Sequence, residues 1–256
     1  MRRRFIADTW SPTSGHPTHA ALVGDQASHL ARVLRAQPGQ IYDVVANGFL
    51  HRAEITQVSD SQVTFALHEE LQAEAGLPMH LLLAVFKFDH FEWAIEKATE
   101  LGVARITPIL ARRTEKHLAQ AAGKRIERWR RIALESSKQS RRTDIPEIAE
   151  PATLASALSV EDAPLCILLS ETEQQLHLSR ALSGSSFTQA SCAEFALALA
   201  IGPEGGWAPD EMSLFTAHQW THVTLGPRIL RAETAAIAAI AITGAQLATG
   251  NGPAIS

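Results

Sequence analysis

Two glycine-bearing stretches near the C-terminus carry the residue types that hold and orient a ligand. They are Ile201-Gly-Pro-Glu-Gly-Gly206 and Leu225-Gly-Pro-Arg-Ile-Leu-Arg231. Glycine allows backbone angles and close approaches closed to other residues. The apolar run Phe195–Ile201 before the first loop reads as a strand buried on both faces. After it, Pro209, Asp210 and Glu211 suit the first turn of a helix, where proline needs no amide partner and acids complement the dipole. A second strand, His222–Leu225, leads into the second loop. A helix follows over about Arg231–Ala248, rich in Ala and Ile around nearly its whole circumference. A helix without a polar face is normally buried on all sides. Glycine loops at the C-terminal ends of adjacent strands are where α/β sheets bind ligands. A packing turn alone accounts for either loop by itself; the two in order, ahead of an apolar helix, point to a ligand site.

The elements that must position these loops can be read in order. Residues 1–72 read as a small β-rich domain. Asn47-Gly48 between two strand-like runs signals a hairpin. Val63, Phe65 and Leu67 alternate with polar residues, as in a half-buried strand. Asp25 is placed to cap a helix running to about Arg35, before the breakers Pro38 and Gly39. Short strands with one helix suggest a closed or nearly closed barrel. Glu69–Pro78 is polar and reads as a linker. Over residues 73–256 the period changes. His80–Phe86, Ala104–Ile109, Ile145–Ile148, Leu165–Leu169, Phe195–Ile201 and His222–Leu225 read as strands. Helical stretches separate them, including Phe91–Leu101 closed by Gly102. Such alternation indicates an α/β domain with a mainly parallel sheet covered on both faces.

Composition narrows the function classes. The 256 residues are 46% hydrophobic, with a net charge of -4 and two cysteines, Cys166 and Cys192. No apolar run reaches the roughly 18 residues of a membrane span. The start, Met1-Arg-Arg-Arg-Phe5, has no apolar stretch behind it and is not a secretory signal. Two cysteines fit a reducing cytoplasm better than a disulfide framework. No histidine or cysteine spacing implies a metal. The net charge argues against indiscriminate nucleic-acid binding, so any RNA contact must come from a local patch. Arg and Lys are dense from Arg112 to Arg142, with only Glu115, Glu127 and Glu135 opposing them in that stretch. Such a run also fits a solvated helix face, as do Arg32 and Arg35.

Both glycine loops closely resemble signature motifs of the SPOUT-class RNA methyltransferases, and specifically of the ribosomal RNA small-subunit methyltransferase E family. Glu96-Lys-Ala-Thr-Glu-Leu-Gly102, Lys138-Gln-Ser-Arg-Arg142 and His29-Leu-Ala-Arg-Val-Leu-Arg35 are similar to further segments of that family. Departures are Ala208, where the family has a small polar helix cap, and Ser137-Lys138, where an acid is common. The resemblance implies a PUA-like RNA-binding β-barrel over 1–72 and a SPOUT domain with a deep trefoil knot over 73–256. It implies methylation of N3 of a uridine in 16S rRNA of the small ribosomal subunit, by a cytoplasmic homodimer using S-adenosylmethionine. The cofactor would lie among three loops. These are Leu169, Ser170 and Glu171; Ile201, Gly202, Pro203, Glu204, Gly205 and Gly206; and Leu225, Gly226, Ile229, Leu230 and Arg231. RNA would be gripped by Arg2, Arg3, Arg4, Arg32 and Arg35, and by Arg112, Arg113, Lys138, Gln139, Ser140, Arg141 and Arg142.

Methyl transfer to N3 needs positioning and the removal of one proton. Arg231 is the candidate to stabilise the uracil anion, and Glu204 is a second catalytic candidate. Carbon-5 attack would instead need a reactive thiolate, whereas Cys166 lies in an apolar run. Three other readings stand beside this one. A dinucleotide oxidoreductase would want G-x-G-x-x-G at the first βα turn. A non-catalytic RNA-binding protein would not need the glycine loops. A SPOUT enzyme with another rRNA or tRNA target would share them.

Overall fold

The computed structural model describes residues 3–12, 16–72, 76–183 and 195–250. Arg2 and Cys192, named above, lie outside them. The chain divides into two compact units, one of residues 1–75 with 137–144, the other of residues 76–136 with 145–256.

The N-terminal unit is a six-stranded sheet. Its strands are β1 (Arg4–Ile6), β2 (Thr9–Ser11), β3 (His19–Val23), β4 (Ile41–Ala46), β5 (Phe49–Val58) and β6 (Gln62–Leu71), in spatial order β1-β4-β5-β6-β3-β2. Asn47 and Gly48, at φ 51° and 79°, make the tight β4–β5 turn expected of that dipeptide. Consecutive residues serve both ends of the sheet: Ala7 N–H donates to the Val45 carbonyl and Asp8 N–H to that of Ala21. Leu22, Val44, Ile55, Val63 and Phe65 are buried inside, with Leu67 packed against them. Between β3 and β4 stands α1 (Gly24–Ser28), which runs into a π-helical turn, His29–Val33. Asp25 does not cap it. The cap position is Val23, without a side-chain bond, and Asp25 lies inside the first turn.

The second unit is built on a sheet whose strands all pair in parallel. β7 (Leu77–Ala84) leads through α2 (Phe88–Glu100) to β8 (Val103–Leu110). Next come α3 (Lys116–Ala122), α4 (Ile126–Ser140), β9 (Glu147–Ile148), β10 (Ala152–Thr153), α5 (Leu154–Val160) and β11 (Leu165–Leu169). The chain goes on through α6 (Leu178–Ser183), β12 (Leu197–Ile201), α7 (Pro209–Ala217), β13 (Thr221–Val223) and α8 (Ala232–Gly250). The order is β10-β8-β7-β12-β11-β13, with β9 also on β8. β9 is shorter than the expected Ile145–Ile148, because Pro146 has no N–H for the ladder. Gly102, at φ 97°, closes α2 as expected.

Alternation within strands builds two cores. Leu81, Leu83, Leu197, Leu199 and Ile201 pack with α2, α4 and α8. On the opposite face Ala84, Ala198 and Ala200 are small, and the space is filled by Trp207, Phe215 and Trp220, stacked edge to face at 5.0 and 5.2 Å. Helix α8 is not buried on all sides within the single chain. Ala232, Ala236, Ala239 and Ile240 face the core, while Ala241 and Ala245 are exposed and Ile237 and Ala238 half-buried. The sheet can cover only one side of the helix.

Candidate functional site

The strand order places the three expected loops side by side. β12, β11 and β13 are neighbours, with Leu168 level with Ala200 and Leu169 level with Val223. Leu169–Glu171, Gly202–Gly206 and Leu225–Arg231 therefore leave the sheet from the C-terminal ends of three adjacent strands. The loop after β11 is tied to the next strand: Ser170 N–H donates to the Val223 carbonyl at 3.0 Å, and Thr224 N–H to that of Leu176 at 2.9 Å. Glu173 carboxylate lies below its usual range because the amides of Gln175 and Leu176 donate to it, which pins this loop further.

Each glycine has its own reason. Gly206, at φ 71°, takes a left-handed conformation, and Arg113 and Glu171 lie 3.7 and 3.9 Å from where a Cβ would be. At Gly202 the obstacle is the Trp207 indole, whose Nε1 would come within 3.1 Å of a Cβ. Gly226, at φ 121°, has open space where its side chain would be. Beside it Ile229 is 85% exposed, an apolar side chain with nothing of its own chain over it. Together these features make a cradle of bare backbone with an apolar rim.

Sequence reasoning missed two supports. Glu211, only 4% exposed, accepts from Arg112 N–H and from Ala208 N–H, both at 2.8 Å. It thus joins the segment after β8 to the first glycine loop. Its bond to Ala208 is the half of a capping box that does not need a polar cap, so Ala208 is tolerated. Acids in a first helical turn are common, and nothing in the linear pattern singles Glu211 out. The second support is Glu233, in the first turn of α8 and 4% exposed. Its Oε1 lies 3.3 Å from His90 Nδ1, an ion-pair distance without hydrogen-bond alignment. Arg231 precedes α8 and is exposed, as are Glu204 and Glu171.

The basic residues separate into two groups. Arg113 donates to the Gly205 carbonyl and Arg112 pairs with Asp210 at 3.1 Å, so both brace the first glycine loop. Arg125 and Arg128 face Glu92, and Arg130 faces Glu127 and Glu150. Arg142 is 9% exposed and paired with Asp144, not turned outward. Arg32 pairs with Asp60 at 2.7 Å, and Arg35 is exposed at φ 49°. In contrast, Arg3, Arg4, Lys138, Gln139 and Arg141 line one basin. There Arg4 donates to the Arg141 carbonyl. Ser140 lies in the same last turn of α4, its hydroxyl directed to the Ser137 carbonyl.

Cys166 is packed against the aromatic core and donates to the Ala163 carbonyl. Burial, with Glu161 and Asp162 nearby, pushes its thiol up to about 12. That is the reverse of an activated nucleophile.

The profile of a family described as RNA methyltransferase domain matches residues 73–244. A Bacillus subtilis protein named ribosomal RNA small subunit methyltransferase E is 32% identical over 94% of both chains. Its Synechocystis namesake is 34% identical over 87% of this chain and 71% of its own. The chain belongs to the ribosomal RNA small subunit methyltransferase E family. In three dimensions it is similar to the Neisseria gonorrhoeae member bound to S-adenosylmethionine, with a TM-score of 0.74 and 25% identity over 94% and 96% of the two chains. A Legionella pneumophila structure holding the same cofactor superposes with a TM-score of 0.76 and 27% identity, over 96% and 98%.

Proposed function

We propose that this chain methylates N3 of a uridine in 16S rRNA of the small ribosomal subunit, with S-adenosylmethionine as donor. The observation that carries the proposal is the convergence of three loops on adjacent strand ends, in a chain of this family. When bound, S-adenosylmethionine supplies an activated methyl group on a sulfonium. What the protein must add is alignment and charge. Leu169–Glu171, Gly202–Gly206 and Leu225–Leu230 hold the donor. Arg231, an exposed cation at the mouth of the third loop, stabilises the uracil anion left when the N3 proton departs. Glu204, exposed on the neighbouring loop, is the candidate acceptor of that proton. The raised thiol of Cys166 makes that residue unsuited to supply the thiolate that carbon-5 chemistry needs.

Finer architecture belongs to the same proposal. The N-terminal sheet, both of whose ends are served by residues 7 and 8, supports a PUA-like RNA-binding barrel. Thr224 passes between the strand end at Ser170 and the segment Leu176–Leu178, which supports a SPOUT knot in the second unit. We assign residues 1–72 and 73–256 to these two domains, with the last turn of α4 serving the first. The apolar outer face of α8 supports a homodimer, since a two-fold partner is the commonest cover for such a surface. No described helix is long and apolar enough to cross a membrane, and the enzyme is assigned to the cytoplasm with its ribosomal substrate.

The test is transfer of a labelled methyl group to purified small subunits, with the modified nucleotide mapped. The proposal expects one labelled uridine carrying the methyl on N3. Label on carbon-5, or on no rRNA, overturns it.

A further inference from the structure

The N-terminal unit carries a surface strip that a duplex-binding face would not need. Two adjoining basins, of 470 and 420 Å³, share Arg3 and Leu34. Their cations are Arg3, Arg4, Lys138 and Arg141, and among the described residues no carboxylate lines either basin. Between the cations lie Phe5, Val33, Leu34, Ile41 and Tyr42. Val33 is 65% exposed and Ile41 44%. The ring of Phe5 meets that of Tyr42 edge to face, with centroids 5.6 Å apart, so each is held in place while half-exposed.

Local structure explains how these side chains reach one surface. In the π turn, Leu34 N–H reaches the His29 carbonyl, five residues back. In an α-helix His29 and Val33, four residues apart, would share a face with Leu34 turned away; the wider turn brings Leu34 to the same side. Such single π turns concentrate at functional sites. Gln40 adds directed polarity. Its carbonyl oxygen accepts from the Tyr42 hydroxyl and from Gln37 N–H, which leaves its NH₂ to donate elsewhere.

Cations alone would suit any polyanion. Duplex RNA offers phosphates and a groove but keeps its base faces stacked inside, so exposed apolar and aromatic groups gain nothing from it. An unpaired strand presents both phosphates and π-faces. We infer that this strip binds an unpaired RNA segment, with bases laid on Phe5, Val33 and Tyr42 and phosphates held by Arg3, Arg4 and Arg141. The inference rests on the RNA-modifying reading above and specifies the form of RNA this surface takes.

The test is fluorescence anisotropy of the full chain with a short unstructured RNA and with a stem-loop of equal phosphate number, across a salt series. The single strand is expected to bind at least about tenfold more tightly, with a log–log salt slope of about -0.7 per phosphate held. Phe5→Leu, which keeps apolar bulk but removes the ring, should weaken single-strand binding about tenfold. Val33→Ser, which removes apolar surface at an exposed position without changing the charge, should also weaken it and leave the stem-loop unaffected. Equal or tighter stem-loop binding overturns the inference while RNA binding itself stands. So does unchanged single-strand affinity in both variants. Failure to bind either RNA overturns the RNA reading with it.

Discussion

The glycine-loop cradle and the basic strip are built in opposite ways. The cradle is backbone: its two most specific segments are contiguous in sequence, and its key positions are those where a side chain is missing. The strip is side chains, drawn from β1, the π turn, β4 and the end of α4, with Arg4 and Arg141 lying 137 residues apart. A backbone site should tolerate many changes around it but not an added Cβ. A side-chain site should lose strength in steps, one group at a time. Arginine has a different role in each region. Arg112 and Arg113 brace the first glycine loop, while Arg3 and Arg141 are exposed along the strip.

The sharpest way to break this contrast is Gly206→Val. A β-branched side chain at φ 71° is strained, and the loop must move to relieve it. S-adenosylmethionine affinity should fall about a thousandfold, near 4 kcal/mol, in a protein that still folds by circular dichroism. Normal affinity by calorimetry would show that the cradle lies elsewhere. Arg231→Ala comes next, with a fall in turnover of about a hundredfold. A single-turnover rate within a few-fold of wild type would remove Arg231 from the chemistry.

A control lies apart from both regions. Glu161, just before β11, accepts from Ala163 N–H and faces His80 at 2.5 Å. Burial pushes its carboxyl up, but the hydrogen bond and charge of His80 and the amides of Ala163 and Asp162 outweigh burial, leaving it below its ordinary 4.5. A depressed folded-state value favours the ionised form. Its stabilisation is thus complete above the ordinary value and is lost as pH falls through the folded one. Glu161→Gln should cost about 1–3 kcal/mol at neutral pH and flatten the acid limb of urea-unfolding stability. Cofactor affinity and salt slope should not move.

Arg141 and Arg142 separate the strip from its support. Arg141→Gln should shallow the salt slope for single-stranded RNA by about 0.7. Arg142→Gln should leave the slope alone and lower the unfolding midpoint, because Asp144 loses its partner. If the two variants behave alike, the distinction between exposed and braced arginines fails. The smallest effect belongs to Cys166→Ser, for which turnover should be unchanged. In the wild type, alkylation of Cys166 at mildly alkaline pH should be far slower in the folded than in the unfolded chain, because few thiolates form with the thiol near 12.

Much of the cradle is legible in the linear sequence. Gly202, Gly206 and Gly226 stand out because glycine is the residue with a distinctive steric signature, and the flanking strands announce themselves by apolar runs. Even so, the proximity of Leu169–Glu171 to those loops follows only from β11 lying between β12 and β13. The arginine-rich stretch is less legible. Its linear neighbours include few acids, yet Glu92, Glu150 and Asp210 arrive from elsewhere in the chain and, with Asp144 two residues after Arg142, occupy much of it.

What the sequence determined by itself is what depends on local sterics and periodicity: the alternation of strands and helices, the Asn47-Gly48 turn, the Gly102 stop and the two glycine loops. These are preferences of a few adjacent residues, so a linear reading captures them. Pairing across the fold was decided by the tertiary structure alone. It alone assigned Glu211 to the amides of Arg112 and Ala208, turned Arg142 inward, and set Arg3 and Arg4 beside Arg141. Charge and hydrogen bonding act through space over a few ångströms, and the distance between two side chains is not written in the number of residues between them.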